Sequence, residues 1–162
     1  MIANLNTLAT LQLEWHGVIR LRERIRRLAT STLTYNGCAS PTCGIIENIL
    51  YNLPFLLAFD VLKKVLLEAC DEGLFASSQH HLGDLMEGAK TSLTWINWQS
   101  LREAVRRRNE FTQGTKLYGD IQCLQDIADI EAQLTAWGIV PTSRGSQFNP
   151  DQGVATDLPI TI

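Results

Sequence analysis

The sequence predicts an all-α fold: an up-down bundle of four to five helices followed by a non-helical C-terminal tail. Apolar residues recur at intervals of three and four in several segments, and glycines and prolines fall between those segments, where helices end or begin. No stretch alternates apolar and polar residues as a half-buried strand does. A chain of 162 residues is long enough to bury one core without disulfides or metals. We therefore expect a single domain over 1–138 and a tail over 139–162.

The first two predicted helices are the longest. The apolar spacing predicts a helix over 7–33, with Leu28 in its buried stripe, and Gly37 is a typical stop signal after it. The second helix, over about 41–72, is apolar nearly all round, which indicates a central position in the bundle. Because Pro54 has no backbone N–H to donate, we expect this helix to be kinked or split there.

Three shorter helices follow a polar loop over 74–81. Their predicted ranges are 82–91, Trp98 to about Gln113, and 121–137. Asn97 and Asp120 are the expected caps of the last two, and Gly114 and Gly138 are the expected stops. The inner side of the last helix should consist of Ile121, Leu124, Ile127, Ala128, Ile130, Leu134 and Trp137.

Composition excludes several classes of protein. With 17 acidic and 14 basic side chains, the net charge of −3 argues against a protein that coats nucleic acid by bulk charge. No apolar run is long enough to span a membrane, and no signal peptide is visible, so we expect a cytoplasmic protein without a membrane partner. The four cysteines form no C-x-x-C pair, and His80-His81 indicates a loop. We therefore expect reduced thiols, no metal site and no cofactor.

Nine of the 14 basic residues lie in two short segments. Residues 20–27 contain five arginines and one glutamate, for a charge of +4, and residues 102–110 have a charge of +2. The rest of the chain therefore has a charge of −9. Such polarisation is typical of a local anion site, although arginine-rich helix faces are also often only solvated and paired.

The helix from Trp98 to Gln113 holds the candidate binding residues. Arg102, Arg106, Asn109 and Gln113 follow a 4-3-4 spacing, which puts them on one polar seam beside the apolar face. Planar donors of this kind suit phosphates or base edges. Arg108 falls near the middle of the apolar arc, where an unpaired guanidinium is costly. It either lines a cleft, bonds the C-terminal carbonyls of a neighbouring helix, or pairs with Asp60, which we expect to face the core.

The same stretch contains Trp95-Ile-Asn-Trp98 and then Arg107-Arg108-Asn109-Glu110-Phe111-Thr112-Gln113-Gly114. It resembles the C-terminal half of HEPN domains, helical bundles whose signature is an arginine, usually followed by asparagine, and a histidine a few residues later. A weaker likeness extends over about 55–139. The resemblance implies a homodimer whose two motif helices form a cleft, which in active relatives cleaves RNA without a metal.

Position by position, Arg108 and Asn109 match the motif, but Gln113 stands where the histidine should be. An amide has no proton to exchange near neutral pH, so we assign no catalytic residue. The expected function is a degenerate HEPN-like homodimer that binds RNA, a nucleotide or a phosphate through an arginine-rich cleft. The alternatives are a structural or regulatory protein, such as a toxin–antitoxin or phage-defence partner, and a ribonuclease with unusual chemistry.

Overall fold

The computed structural model of the protein describes the backbone of residues 2–36 and 41–141 and the side chains of 2–28 and 50–141. These residues form five α-helices and no strand, which confirms the predicted all-α fold. The helices are α1 (Leu5–Asn36), α2 (Pro41–Asp71), α3 (Leu82–Ala89), α4 (Trp98–Thr112) and α5 (Asp120–Ala136). The predicted stop at Gly37 and the tail beyond Pro141 lie outside the described residues.

Helix α2 is the centre of the bundle, because α1, α3, α4 and α5 all pack against it. Its inner face is fully buried and includes Phe55 and Phe59, whose rings meet edge to face at 5.1 Å. Each such side chain contributes about 2–3 kcal/mol by leaving water. The helix is not split at Pro54, which is buried within it. The missing N–H costs α2 one backbone hydrogen bond, and packing on several sides keeps the helix continuous.

The predicted burial is wrong at several positions on these helices. Helix α2 is not buried on every side, because Leu50, Leu53 and Leu57 form an exposed apolar stripe on one face. Leu28 is 60% exposed although it lies within about 60° of the buried Ile25 around α1, so it is at the edge of the buried stripe.

Two further residues expected to face the core point outward. Ile121 is 80% exposed, and Ala128 is exposed as well, because the core face of α5 is set by Cys123, Ile127, Ile130 and Leu134. These four repeat at intervals of three and four and lie on one arc, to which the other two do not belong.

Glycines end α4 and α5 as predicted. Gly114 and Gly138 have φ values of +70° and +72°, the left-handed conformation that glycine adopts without strain. The predicted cap of α5 is one residue late, because Gly119 occupies the cap position and Asp120 begins the helix. After Gly138 the chain turns inward, and Ile139 and Val140 are buried in the core. Packing therefore continues two residues past the predicted boundary of the bundle.

Candidate functional site

A groove of about 710 Å³ lies between α3 and α4. The four seam residues predicted from the 4-3-4 spacing all line it: Arg102, Arg106, Asn109 and Gln113. Helical geometry brings them together, since each lies within about 60° of the others around α4. Gln113 is the residue that follows the last turn of the helix, so its side chain stands at one end of the groove. We call this feature the α3–α4 groove.

Carboxylates, which the sequence reasoning did not assign to the site, also line the α3–α4 groove. They are Asp84 and Glu87 of α3 and Glu103 and Glu110 of α4. Together with the two arginines, they give the lining a formal charge of −2. The spacing of residues along one helix predicts which of its own side chains share a face. It does not predict that the acids of α3 lie opposite, because this depends on how the two helices pack.

The two arginines of the groove differ in how firmly they are held. Arg106 forms ion pairs with Glu103, at 3.0 Å, and with Glu110. The hydrogen bond from Arg106 to Glu103 raises the pKa of this guanidinium. Arg102 has only a 3.9 Å contact with Glu87 and is 62% exposed, so it is free to turn toward a ligand.

The Glu110 carboxylate has a second partner besides Arg106. The Tyr118 hydroxyl donates a hydrogen bond to it, and this bond together with the charge of Arg106 holds the pKa of Glu110 below its ordinary value. The carboxylate is therefore a hydrogen-bond acceptor at neutral pH and is poorly suited to donate a proton.

The floor of the α3–α4 groove is apolar. Met86 and Val105 are buried beneath it, and the half-buried Trp98 forms one wall with the Lys90 ammonium 5.3 Å from its ring centre. An apolar floor with convergent polar groups at its edges is the usual character of a small-molecule site, and about 710 Å³ is within the usual size range.

Three tryptophans and one buried amide position the start of α4. The Trp95 ring meets Trp98 at 4.8 Å and Trp137 at 4.9 Å, both edge to face. Gln133 is fully buried and bridges the loop before α4: its side chain accepts from the Ile96 backbone N–H and donates to the Thr94 carbonyl. The segment Trp95–Trp98 therefore has a structural role here.

A buried ion pair, which sequence reasoning missed, fixes α4 against α5. Arg107 donates two hydrogen bonds to Asp126, at 2.9 and 2.7 Å, and Gln122 donates a third at 3.0 Å. Asp126 is 1% exposed and Arg107 is 16% exposed. The Asp126 carboxylate raises the pKa of Arg107. The pair lies on the far side of α4 from the groove and holds the seam residues in their orientation.

Arg108 does not line the α3–α4 groove. It is partly buried, its Nε is buried without a hydrogen-bond partner among the described residues, and its Nη1 donates to the neighbouring Asn109 at 3.2 Å. The predicted pairing of Arg108 with Asp60 is wrong, because Asp60 faces solvent and pairs with Lys64 at 3.0 Å. Because successive residues differ by 100°, Arg108 and Arg106 point to different sides of α4.

Other candidate groups offer little chemistry. His80 and His81 are exposed in the loop before α3, and no cluster of three or more potential metal ligands occurs within the described residues. Cys70 and Cys123 are free thiols, and burial raises the pKa of Cys123 to about 12. Cys38 and Cys43 lie outside the described side chains. Every helix in the described ranges is too short or too polar to cross a lipid bilayer.

No family model matches the chain, and no curated protein or solved structure matches it either. The resemblance to HEPN domains therefore stays a prediction that depends on Arg108, Asn109 and the departure at Gln113.

Proposed function

We propose that the protein is a non-catalytic, HEPN-like binding protein that holds a nucleotide in the α3–α4 groove. The observation that carries the proposal is that Arg102, Arg106, Asn109 and Gln113 line one groove above an apolar floor. A nucleotide combines a flat apolar-faced base, polar base edges and an anionic phosphate, which are the three properties that this lining complements.

The charge of the groove favours a nucleotide over an RNA strand or free phosphate. A strand would bring several phosphates toward a lining with a formal charge of −2, whereas a mononucleotide brings one. Free phosphate would leave the floor formed by Met86 and Val105 unused. In this arrangement the loosely held Arg102 binds the phosphate, and the base lies on the floor.

The carboxylates at the edge of the groove supply selectivity among bases. Glu103 and Glu110 only accept hydrogen bonds when ionised, so they match the amino group of cytosine, adenine or guanine. Uracil has no amino group. The amides of Asn109 and Gln113 donate as well as accept and are suited to the remaining base edges.

The proposal is tested by calorimetric titration of the protein with AMP, GMP, CMP, UMP and the matching nucleosides. We expect UMP to bind most weakly. Arg102→Gln should weaken nucleotide binding about fivefold, since an exposed charge-assisted hydrogen bond contributes about 1 kcal/mol, and it should leave nucleoside binding unchanged. Arg24→Gln on α1 is the matched control and should bind as the parent does. Absence of binding by all four nucleotides at millimolar concentration contradicts the proposal.

The non-catalytic part of the proposal is tested with RNA. No histidine lines the groove within the described part of the chain, and Gln113 has no exchangeable proton near pH 7. The unaltered protein should leave a labelled RNA intact over hours, and it is assayed beside Gln113→His. Cleavage by the unaltered protein, lost in an Arg106→Gln variant, would show that the groove is an active site.

One observation favours a second candidate function, that of a protein whose surface pairs with another copy of the chain. The exposed stripe Leu50, Leu53 and Leu57 has the spacing of a helix–helix contact, and a two-fold dimer needs only one such stripe. Light scattering after size exclusion should then report a dimer that Leu53→Glu dissociates and the control Leu74→Glu does not. A parent protein that is monomeric at about 100 µM rejects this candidate.

A further inference from the structure

Helix α1 has a row of arginines that the α3–α4 groove does not use. Arg20, Arg24 and Arg27 are exposed and form no ion pair with the described side chains. At 100° per residue they lie within about 60° of one another, and at 1.5 Å per residue they span about 10.5 Å along the helix. The row is in the middle of the outward face, because the buried residues Trp15, Val18 and Ile25 are on the opposite side of α1.

The other two arginines of residues 20–27, Arg22 and Arg26, do form ion pairs. Arg22 pairs with Glu23, at 3.3 Å, and with Glu131 of α5, at 3.7 Å. Arg26 pairs with Glu23 at 3.8 Å. Glu23, the single acidic residue of the segment, therefore pairs with the two arginines that lie outside the row. Three guanidinium groups are left on one line, on a chain whose remaining residues are strongly acidic.

We propose that the outer face of α1 binds the phosphate backbone of a nucleic acid through Arg20, Arg24 and Arg27. Three guanidinium groups spread over about 10.5 Å of one helix face can contact one backbone phosphate each, for about three phosphates of a strand. The segment uses arginine throughout and no lysine. The flat guanidinium fork matches phosphate oxygens in pairs, which a lysine ammonium does not.

The position of the row argues against a membrane as the partner. An amphipathic helix binds lipid with its apolar face, and the arginines here occupy the middle of the exposed face of α1 among its described side chains, residues 5–28. The exposed leucines of α1 are Leu5, Leu13 and Leu28. They are about 12 and 22 Å apart along the helix, with the arginine row between the last two, and form no continuous apolar face. This inference goes beyond the proposed nucleotide function and uses none of its residues.

The test is fluorescence anisotropy of labelled 12-nucleotide RNA and a 12-base-pair duplex, titrated with the full chain from 50 to 200 mM KCl. Three phosphate contacts predict an affinity loss of about 40-fold for the duplex and about 20-fold for the single strand over this range. Each single Arg→Gln change in the row should lower the slope of log affinity against log salt by about 1. The variant with all three changes should bind neither probe.

Two controls separate the row from the rest of the molecule. Arg22→Gln removes a guanidinium of the same helix that is already paired, and Arg102→Gln removes one from the α3–α4 groove. Both should keep the parent slope. Circular dichroism checks that the exposed substitutions leave the fold intact.

Each other outcome overturns the inference. One is that neither probe binds at 50 mM KCl. A second is that Arg102→Gln lowers the slope of log affinity against log salt and the α1 variants do not. A third is binding to phosphatidylserine vesicles without binding to either nucleic acid. A fourth is equal competition by poly-glutamate, since carboxylates would then serve as well as phosphates. Failure of nucleotide binding in the groove leaves these measurements unaffected, because different arginines are involved.

Discussion

Replacement of Asp126 by asparagine is expected to destabilise the fold strongly. The change keeps the shape of the side chain but removes the carboxylate charge that is hydrogen-bonded to the Arg107 guanidinium, at a position that is 1% exposed. Removing one partner of a buried ion pair costs about 3–5 kcal/mol. Because Arg107 is itself 16% exposed and some water reaches it, we place the loss at the lower end, about 3 kcal/mol. For a chain of this length the melting temperature should fall by about 6–12 °C.

A double-mutant cycle gives the sharper measurement. The single variants Arg107→Met and Asp126→Leu should each cost about 3 kcal/mol, because each leaves the other charge of the pair without its partner in the core. The combined Arg107→Met and Asp126→Leu protein should lose far less than the sum, since hydrophobic replacement of a whole buried pair is often neutral or stabilising. Urea denaturation followed by far-UV circular dichroism provides the free energies, and unchanged m-values confirm that the same transition is measured.

Two results would refute this reasoning. If Asp126→Asn lies within about 1 kcal/mol of the parent at pH 7, the pair is hydrated in solution and does not hold α4. If the double variant loses the full sum of the two singles, the residues are not coupled. In the first case the orientation of the groove residues must come from the tryptophan contacts alone.

Three further predictions concern single residues. Gly88→Ala should lower the free energy of unfolding by about 1–2 kcal/mol in urea denaturation, because a Cβ there would lie 2.7 Å from the Ala76 carbonyl oxygen. Gly83→Ala is the matched control: its Cβ would meet no atom within 4 Å, and it should stabilise α3 by about 0.5–1 kcal/mol. The pKa of Glu110 is lowered in the fold by the Tyr118 hydroxyl and Arg106. Its contribution to stability is therefore fully present above its ordinary pKa and is lost as the pH falls from that value through the lowered pKa of the folded state. Urea midpoints from pH 7 to 3 should therefore fall more steeply for the parent than for Glu110→Gln, and parallel curves contradict this. Cys123 should resist iodoacetamide in the native state at pH 8 and react in urea, as read by peptide mass spectrometry, because it is buried and its pKa is raised to about 12.

Much of the fold could be predicted because helices are encoded locally. The stops at Gly114 and Gly138 need only a residue that tolerates positive φ, and the structure confirms both. The helix bounds agree to within a few residues for the same reason. Exposure was harder to predict. Leu28 is at the edge of a stripe, where an apolar residue is buried only if another element covers it, and Ile121 lies off the arc of α5 that faces the core.

The candidate site was likewise predictable only in the part that a single helix determines. The seam on α4 was predictable because the spacing within one helix fixes which side chains share a face. The acids of α3 and the Arg107–Asp126 pair were not, because they depend on which helices become neighbours. Arg107 and Arg108 differ by one position, and only tertiary packing decides that the first meets Asp126 and the second does not.

The tryptophan contacts that hold the start of α4 also give the protein its own optical reporter. Trp98 lines the α3–α4 groove and touches Trp95, whereas Trp15 is 1% exposed in the core beneath α1. A ligand in the groove should displace water from Trp98 and change its emission, whereas an anion on the outer face of α1 should leave every indole in its present surroundings. Unlabelled fluorescence therefore tells the two surfaces apart within one sample.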